Sequence, residues 1–257
     1  MKPSTTLLFL ILFFLASEAT PPQPLGLIRA DPKNVLKINL VPLLFKTYSI
    51  QYERTIFRNF SIGVQGGYNS ELRLGTYINK VLDTVSNARL MAVRAKVTMT
   101  ELSTSGNVYF TPEIRLYLSR KGAPNGFYIA PYLRFSTTNV NSTLIYKDSN
   151  NNNIPILFTG RMTSIHPGVL LGYQKSILKR LVVDFWLGGI QFGSSKATFD
   201  AEADFKKLDQ QGFIDFVHDN FKYGSSTLTI ANDAHAQMQY TGKSSGFRIG
   251  LCVGFRF

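Results

Sequence analysis

The sequence predicts an all-β fold: an eight-stranded antiparallel transmembrane β-barrel with short periplasmic turns and long extracellular loops. Three observations support this prediction: segments in which large apolar residues alternate with polar or small ones, an even number of such segments, and connections that alternate between short and long. Alternation with a period of two gives a strand one apolar and one polar face. Because the connections sort by length, we expect the apolar faces to point outward to lipid.

Residues 1–19 have the organisation of a secretory signal peptide, with a basic start, the apolar run LLFLILFFL, and small residues before Ala19. The apolar run is too short to cross a bilayer as a helix, so we expect cleavage after Ala19. The next residues, 20–34, are rich in proline and predict an extended periplasmic linker. The barrel domain is then expected at 35–257.

The composition favours an exported bacterial protein with anionic partners. Cys252 is the only cysteine, so an intramolecular disulfide is excluded, which fits a bacterial envelope better than a eukaryotic secretory route. The formal net charge of +12 favours anionic lipid headgroups. We expect no nucleic-acid partner, because no basic helix or nucleic-acid motif is present. Neither an HExxH pattern nor a Cys/His cluster occurs, so we expect no metal and no cofactor.

The alternating segments number eight. An even count allows antiparallel closure, which removes the strand edges that lipid does not tolerate. The segments cover residues 35–41, 48–54, 60–68, 108–118, 127–135, 165–173, 181–192 and 246–257. In the last one, GFRIGLCVGFRF, every second residue from Phe247 to Phe257 is large and apolar.

The connections between these segments sort by parity. From a periplasmic N-terminus, the connections after segments two, four and six are periplasmic turns, and they are short: 55–59, 119–126 and 174–180. Those after segments three, five and seven are long: 69–107, 136–164 and 193–245. Only the first outer connection, 42–47, is short. Short turns on one side and long loops on the other are expected of outer-membrane barrels.

The polar faces of these segments predict a polar network inside the barrel. Its members are Lys37, Gln51, Glu53, Glu113, Arg115, Arg134, Asp184, Arg248 and Arg256. The interior of a small eight-stranded barrel is filled by side chains, and charges taken out of water must be paired. We therefore expect a structural plug; a polar conduit for a small solute is the alternative.

The long connections have local patterns of their own. Residues 142–158 predict two strand extensions around an Asn-rich turn, which would form a projecting hairpin. Residues 204–221, DFKKLDQQGFIDFVHDNF, repeat apolar positions at three and four, as an amphipathic helix does, and 76–85 predicts a second short helix. Loops carry function on rigid scaffolds, so we expect any recognition to lie in 69–107, 136–164 and 193–245.

The eight segments, the motif TPEIRLYLSRKGAPNGFYIAPYLRF at 111–135, and the terminal Phe257 resemble a family of uncharacterised bacterial outer-membrane β-barrels. That family is a domain of unknown function from Bacteroidetes-type Gram-negative bacteria, and the resemblance covers about 34–257. It implies integral insertion in the outer membrane. It also implies that Phe257, with Phe255, forms the assembly signal read by the barrel-assembly machinery. Cys252 stands where that signal usually has glycine.

Ser164 and His166 share one face of a predicted strand, which raises the question of catalysis. Some outer-membrane enzymes that resemble this barrel, esterases and acyltransferases acting on lipid A, use a Ser/His pair. A serine nucleophile needs a base within hydrogen-bond reach and an acid that orients the base. No sequence signal identifies the acid, so we expect Ser164 and His166 to be a polar pair without catalytic function.

The sequence therefore predicts a non-enzymatic outer-membrane barrel with a structural or surface-recognition role. The expected partners are outer-membrane lipids including lipopolysaccharide, the barrel-assembly machinery, and an extracellular partner of the long loops. The alternatives are a lipid A esterase or acyltransferase, a narrow channel for small solutes, and a soluble lipocalin-like barrel with its apolar face inside.

Overall fold

The computed structural model describes residues 32–73, 97–99, 104–147, 152–177, 180–206, 210–211, 214–215 and 224–257. The predicted signal peptide and the linker up to residue 31 lie outside the described residues. So does the predicted helix at 76–85. Within the described part of the chain, no helix is long and apolar enough to cross a membrane.

The described residues form one antiparallel sheet. Its strands are β1 (Asn34–Asn39), β2 (Thr47–Phe57), β3 (Phe60–Arg73), β4 (Val97–Met99), β5 (Thr104–Tyr117), β6 (Gly126–Lys147), β7 (Asn153–Ile177), β8 (Leu181–Glu202), β9 (Gly224–Ile230) and β10 (His235–Arg256). A short 3₁₀ turn at Pro42–Phe45 joins β1 to β2. Strand β1 begins at Asn34, the last residue of the predicted linker.

The sheet closes into an eight-stranded barrel. Neighbouring strands follow the order β1-β2-β3-β5-β6-β7-β8-β10, and β10 then pairs with β1 from Val35 opposite Arg256 to Asn39 opposite Cys252. Strands β4 and β9 lie outside this ring and pair with β6 and β10. Each of the eight predicted segments contributes one strand of the ring. The prediction of an eight-stranded antiparallel barrel is confirmed.

The barrel has two different ends. At the turn end, short connections join β2 to β3, β5 to β6, and β7 to β8, and the backbones of Asn34 and Phe257 exchange two hydrogen bonds. At the opposite, extended end, strands β6, β7, β8 and β10 project beyond their neighbours, because each has 22 to 25 residues. Short connections at one end and long excursions at the other agree with the predicted sorting.

Much of the predicted connections 136–164 and 193–245 is strand, as predicted for 142–158 and contrary to the prediction elsewhere. Strands β6 and β7 pair without interruption from Gly126 opposite Gln174 to Lys147 opposite Asn153, as the predicted hairpin at 142–158 requires. Beyond the barrel the alternation continues with its polarity reversed: Ile154 and Ile156 point inward and are buried, whereas Thr159 and Arg161 are exposed. Because the sequence prediction looked for strands with apolar outer faces, it missed these extensions, whose outer faces are polar.

The extended strands enclose a small apolar cluster of their own, formed by Tyr146, Ile154, Ile156, Ala201, Phe205, Ala236 and Met238. Phe205 was expected on the apolar face of a helix at 204–221. It lies instead in a turn, where its N–H bonds to the carbonyl oxygens of Ala203 and Asp233, and its side chain is fully buried. Of the predicted helix, 210–211 and 214–215 are helical, and most of the remainder lies outside the described residues.

Candidate functional site in the barrel interior

The two faces of the barrel wall have opposite chemistry. Outward side chains are large and apolar and remain exposed, for example Phe247 at 65% and Ile249 at 54%. Inward side chains on the same strands are polar and buried, including Arg248 beside them in β10. A soluble barrel folded around an apolar core would show the reverse arrangement. The candidate site therefore lies in the polar interior.

Near the turn end, five charged side chains form a buried group, called here the carboxylate cluster: Lys37, Glu53, Glu113, Arg115 and Asp184. The Lys37 Nζ donates to Glu53 Oε2 at 2.7 Å and to Asp184 Oδ2 at 2.9 Å. The Arg115 guanidinium reaches all three carboxylates, with Nε 2.6 Å from Glu113 Oε1 and Nη1 2.7 Å from Asp184 Oδ2 and 3.3 Å from Glu53 Oε2. Every one of the three carboxylates is therefore paired.

Neutral groups add hydrogen bonds to this cluster, although Glu113 Oε2 and Arg115 Nη2 have no partner among the described residues. The hydroxyls of Tyr117 and Tyr128 donate to Glu53 Oε1 and Asp184 Oδ1, each at 2.7 Å. Gln51 donates to Glu113 at 2.7 Å. Gln174 Oε1 accepts from Lys37 Nζ at 2.8 Å and from Arg115 Nη1 at 2.9 Å. Hydrogen bonds of this kind make burial of charge tolerable in a low-dielectric interior.

Gln174 is the member that sequence reasoning missed. The pattern placed it in a periplasmic turn at 174–180, but β7 continues to Ile177 and pairs Gln174 with Gly126 and with Asp184. The inward position follows from the even-numbered residues of β7, since His166, Leu170 and Gln174 are all buried. Extending the alternation by one step past Tyr173 would have predicted it.

A second group lies further toward the extended end, where Arg134 and Arg248 form what is called here the arginine pair. The Arg248 guanidinium stacks on Tyr132, 4.3 Å from the ring centre, and on Trp186 at 4.8 Å, and it donates to Gln65 at 2.5 Å. Arg134 stacks on Tyr109 at 3.7 Å. Tyr132, the ring under Arg248, and Arg134 both project inward from β6, two residues apart.

Ser164 and His166 both point into the barrel, but each has a different partner. The Ser164 Oγ bonds to Ser136 Oγ at 2.7 Å, and the His166 Nε2 bonds to Ser244 Oγ at 2.7 Å. Among the described residues, the His166 Nδ1 has no hydrogen-bond partner, so no acid orients the ring there. Ser164 and His166 lie on the same strand face, as expected. The hydrogen bond between them, which a Ser164 nucleophile would need, is absent among the described contacts.

The remaining predicted residues lie at the turn end. Arg256 faces inward, but its Nε donates to the Pro32 carbonyl at 2.6 Å, apart from the carboxylate cluster. Phe255 and Phe257 point outward and are about half exposed. In the described part of the chain, no group of three or more His, Cys, Asp or Glu is arranged to hold a metal ion.

No family model and no curated protein matches the chain. Among solved structures, it is similar to Acinetobacter baumannii CarO with a TM-score of 0.37 and 12% sequence identity, over 88% of this chain and 98% of that one. Acinetobacter baumannii CarO2 gives a TM-score of 0.35 at 12% identity over the same shares. The fold assignment rests on the closure of the chain's own sheet by β1 and β10.

Proposed function

We propose that the chain is an integral outer-membrane β-barrel of a Gram-negative bacterium, with a non-enzymatic structural or surface-recognition role. One observation carries the proposal: the barrel has charged residues inside and exposed apolar residues outside. Exposing so much apolar surface to water would be strongly unfavourable. Lipid removes that cost, and ring closure satisfies the backbone hydrogen bonds that lipid cannot satisfy.

The height of the apolar surface supports a membrane location. The outward apolar residues run from Phe247 to Phe255 in β10 and from Phe127 to Phe135 in β6, which is nine residues in each. At a rise of about 3.3 Å per residue and a tilt of about 45°, nine residues span roughly 20 Å. This is close to the ~25 Å apolar band of outer-membrane barrels.

The membrane proposal predicts a strong dependence on depth for outward arginine substitutions. Ile249→Arg, in the middle of the β10 band, is expected to cost about 2–4 kcal/mol of unfolding free energy in lipid bilayers. Thr241→Arg is a matched control, because Thr241 is exposed on the same face of β10 but nearer the extended end. Equal unfolding free energies for the two variants, measured by denaturant titration in vesicles, would rule out a lipid-facing band.

The extended strands support the surface-recognition part of the proposal. With short turns periplasmic, strands β6, β7, β8 and β10 project outside the cell. Their own apolar cluster stiffens them, so they offer a preformed sheet rather than loose loops. Pairing β9 to β10 widens this sheet. The carboxylate cluster fills the barrel beneath, which supports a plug over a conduit.

The outer rim has features suited to the proposed lipid partners. A cavity of about 530 Å³ lies where the extended strands leave the barrel. The outward Phe110, Phe135 and Ile165 line it together with the inward Tyr109, Ser136 and Ser164. Lys196 also lines the cavity. Lys196 pairs with Thr241 of β10, and Lys243, two residues after Thr241, is exposed on the same outer face. Apolar side chains below and cations above match the acyl chains and phosphates of lipopolysaccharide.

Replacing these two lysines is expected to weaken lipopolysaccharide binding. The double change Lys196→Gln with Lys243→Gln should reduce affinity on the order of tenfold or more, at about 1 kcal/mol per lysine near an anionic surface. The measurement is titration of the refolded barrel in detergent with lipopolysaccharide. Lys147→Gln, an exposed change at the far end of β6, should have no effect. Equal losses in both variants would argue against a rim site.

A further inference from the structure

The cations inside the barrel are not all balanced by carboxylates. Apart from Arg256, which bonds to the Pro32 carbonyl at the turn end, the described interior holds four cations, Lys37, Arg115, Arg134 and Arg248, and three carboxylates, Glu53, Glu113 and Asp184. Those carboxylates pair with Lys37 and Arg115, and no described carboxylate forms an ion pair with Arg134 or Arg248. The arginine pair therefore holds an excess of positive charge, with Arg248 buried and Arg134 partly buried. Such charge requires a counter-charge or extensive hydrogen bonding.

The hydrogen-bond donors of this region are also incompletely used. Arg248 is only 6% exposed, and its Nη1 has no partner among the described residues. His166 is 7% exposed and lies opposite Arg134 on the neighbouring strand, and its Nδ1 also lacks a described partner. In the tautomer in which Ser244 donates to Nε2, the Nδ1 carries the proton and is a donor. The unpartnered nitrogens therefore lie on the Arg248 guanidinium and on the imidazole opposite Arg134.

The arginine pair is held in place by aromatic rings rather than by acids. Arg248 is fixed between Tyr132 and Trp186, and Arg134 lies flat on Tyr109. Gln65 connects the two arginine sites, since its Oε1 accepts from Arg248 and its Nε2 donates at 3.5 Å to the hydroxyl of Tyr109, the ring on which Arg134 stacks. Cation–π stacking orients a guanidinium without neutralising it. The donors remain available to a ligand that brings negative charge.

We propose that Arg134 and Arg248, assisted by His166, bind a small oxyanion inside the barrel between the carboxylate cluster and the extended end. Guanidinium groups bind phosphate and carboxylate through paired, charge-assisted hydrogen bonds. A single negative charge would offset one of the two positive charges of the arginine pair. The hydroxyls of Ser136, Ser164, Ser195 and Ser244 lie further along on the inner wall and give the route from the extended end a polar lining. This inference does not depend on the barrel's location or on its lipid partners.

The test uses the full chain refolded in neutral detergent, with inorganic phosphate as the probe. Saturable binding is expected by titration calorimetry and by a change in Trp186 emission, because Arg248 stacks on the Trp186 ring. Arg134→Met and Arg248→Met should each lower the affinity about tenfold or more, the value of one charge-assisted hydrogen bond. Arg134→Lys should keep part of the binding. Chloride at matched ionic strength should give no saturable signal.

Arg161→Met is the matched control, since Arg161 is exposed on the outer face of β7 and its loss should leave phosphate binding unchanged. If Arg248→Met does not fold, Arg134→Met decides, because Arg134 is only partly buried. Wild-type protein that binds no phosphate at tens of millimolar, about a hundredfold above a weak specific Kd, would overturn the proposal. So would binding that is equal in Arg134→Met and the wild type.

Discussion

Arg115→Met is expected to destabilise the barrel by about 3–5 kcal/mol, the cost of leaving buried charge uncompensated. The Arg115 side chain is fully buried and forms ion pairs with Glu53, Glu113 and Asp184. Methionine fills similar volume but supplies no charge, so Lys37 alone would face three carboxylates. The substitution also removes the cation that stacks 4.3 Å from the centre of the Tyr128 ring.

Trp186 provides the measurement for this prediction. It is the only tryptophan in the chain, it is 5% exposed, and its Nε1 lies 3.4 Å from Asp184 Oδ2 inside the barrel. Unfolding moves its ring from this site to solvent, so its emission reports the unfolding transition in a denaturant titration. The free energy of unfolding of the wild type and of Arg115→Met can then be compared in the same vesicles.

Two further variants test whether the loss of stability comes from the buried charge of Arg115 rather than from replacing an arginine in general. Arg161→Met removes an exposed arginine and is expected to change stability by less than about 0.5 kcal/mol. Arg115→Lys retains one charge but loses the forked geometry, so its stability should fall between those of the methionine variant and the wild type. If Arg115→Met were as stable as Arg161→Met, the carboxylate cluster would not hold the turn end together.

The ring and its contents could be predicted from the sequence because alternation is a local property. Residues such as Lys37, Glu53 and Asp184 interrupt apolar runs at a period of two, which places them on one face without knowledge of any partner. Whether that face points into or out of the barrel was predicted from the lengths of the connections. In the structure, all three residues are fully buried and in contact.

Several contacts within the interior could not be predicted, because they join strands that are not neighbours in the barrel. Lys37 in β1 bonds to Gln174 in β7, 137 residues away, across a distance that no adjacent-strand pairing covers. Such contacts depend on the register of every intervening pair and on the tilt of the strands. The sequence indicates which residues face inward, but it does not indicate their relative heights.

A β-bulge in β8 also hid part of the interior. Asp184 and Trp186 are buried before it, and Ser195 and Ala197 are buried after it, so the inward positions change from even to odd numbers. The change occurs at Leu187–Gly188, where Gly172 pairs with Trp186 but Leu171 pairs with Gly188. One extra residue reverses all later side chains. Continued alternation would have placed the exposed Lys196 inside.

Inward glycines determine where the interior tyrosines can lie. A Cβ added at Gly172 would collide with the Tyr128 ring, and one at Gly67 or Gly168 would collide with Tyr109 or Tyr132. Each ring therefore lies flat against the backbone of a neighbouring strand. For Tyr128 this position directs the hydroxyl to Asp184 and the ring face to Arg115. The glycine on β7 is thus a condition for the carboxylate cluster.

Gly172→Val is accordingly expected to cost about 3–5 kcal/mol. Overpacking a filled interior costs about 1–3 kcal/mol, and displacing Tyr128 breaks its hydrogen bond to a charged carboxylate, worth about 1.5–3 kcal/mol. Gly66→Val is the matched control, because Gly66 faces outward and an added Cβ there meets nothing within 4 Å. A valine at 66 should be neutral or slightly stabilising, since it adds a β-branched apolar residue to the outer surface.

The comparison is made on Trp186 unfolding curves of both valine variants in identical vesicles. Combining Gly172→Val with Tyr128→Leu should recover about the overpacking part of the loss, because the smaller side chain vacates the space that valine needs. The hydrogen bond to Asp184 would stay lost in that double variant. If Gly172→Val were as stable as Gly66→Val, the Tyr128 ring would not be fixed by Gly172, and its hydrogen bond to Asp184 would contribute little to stability.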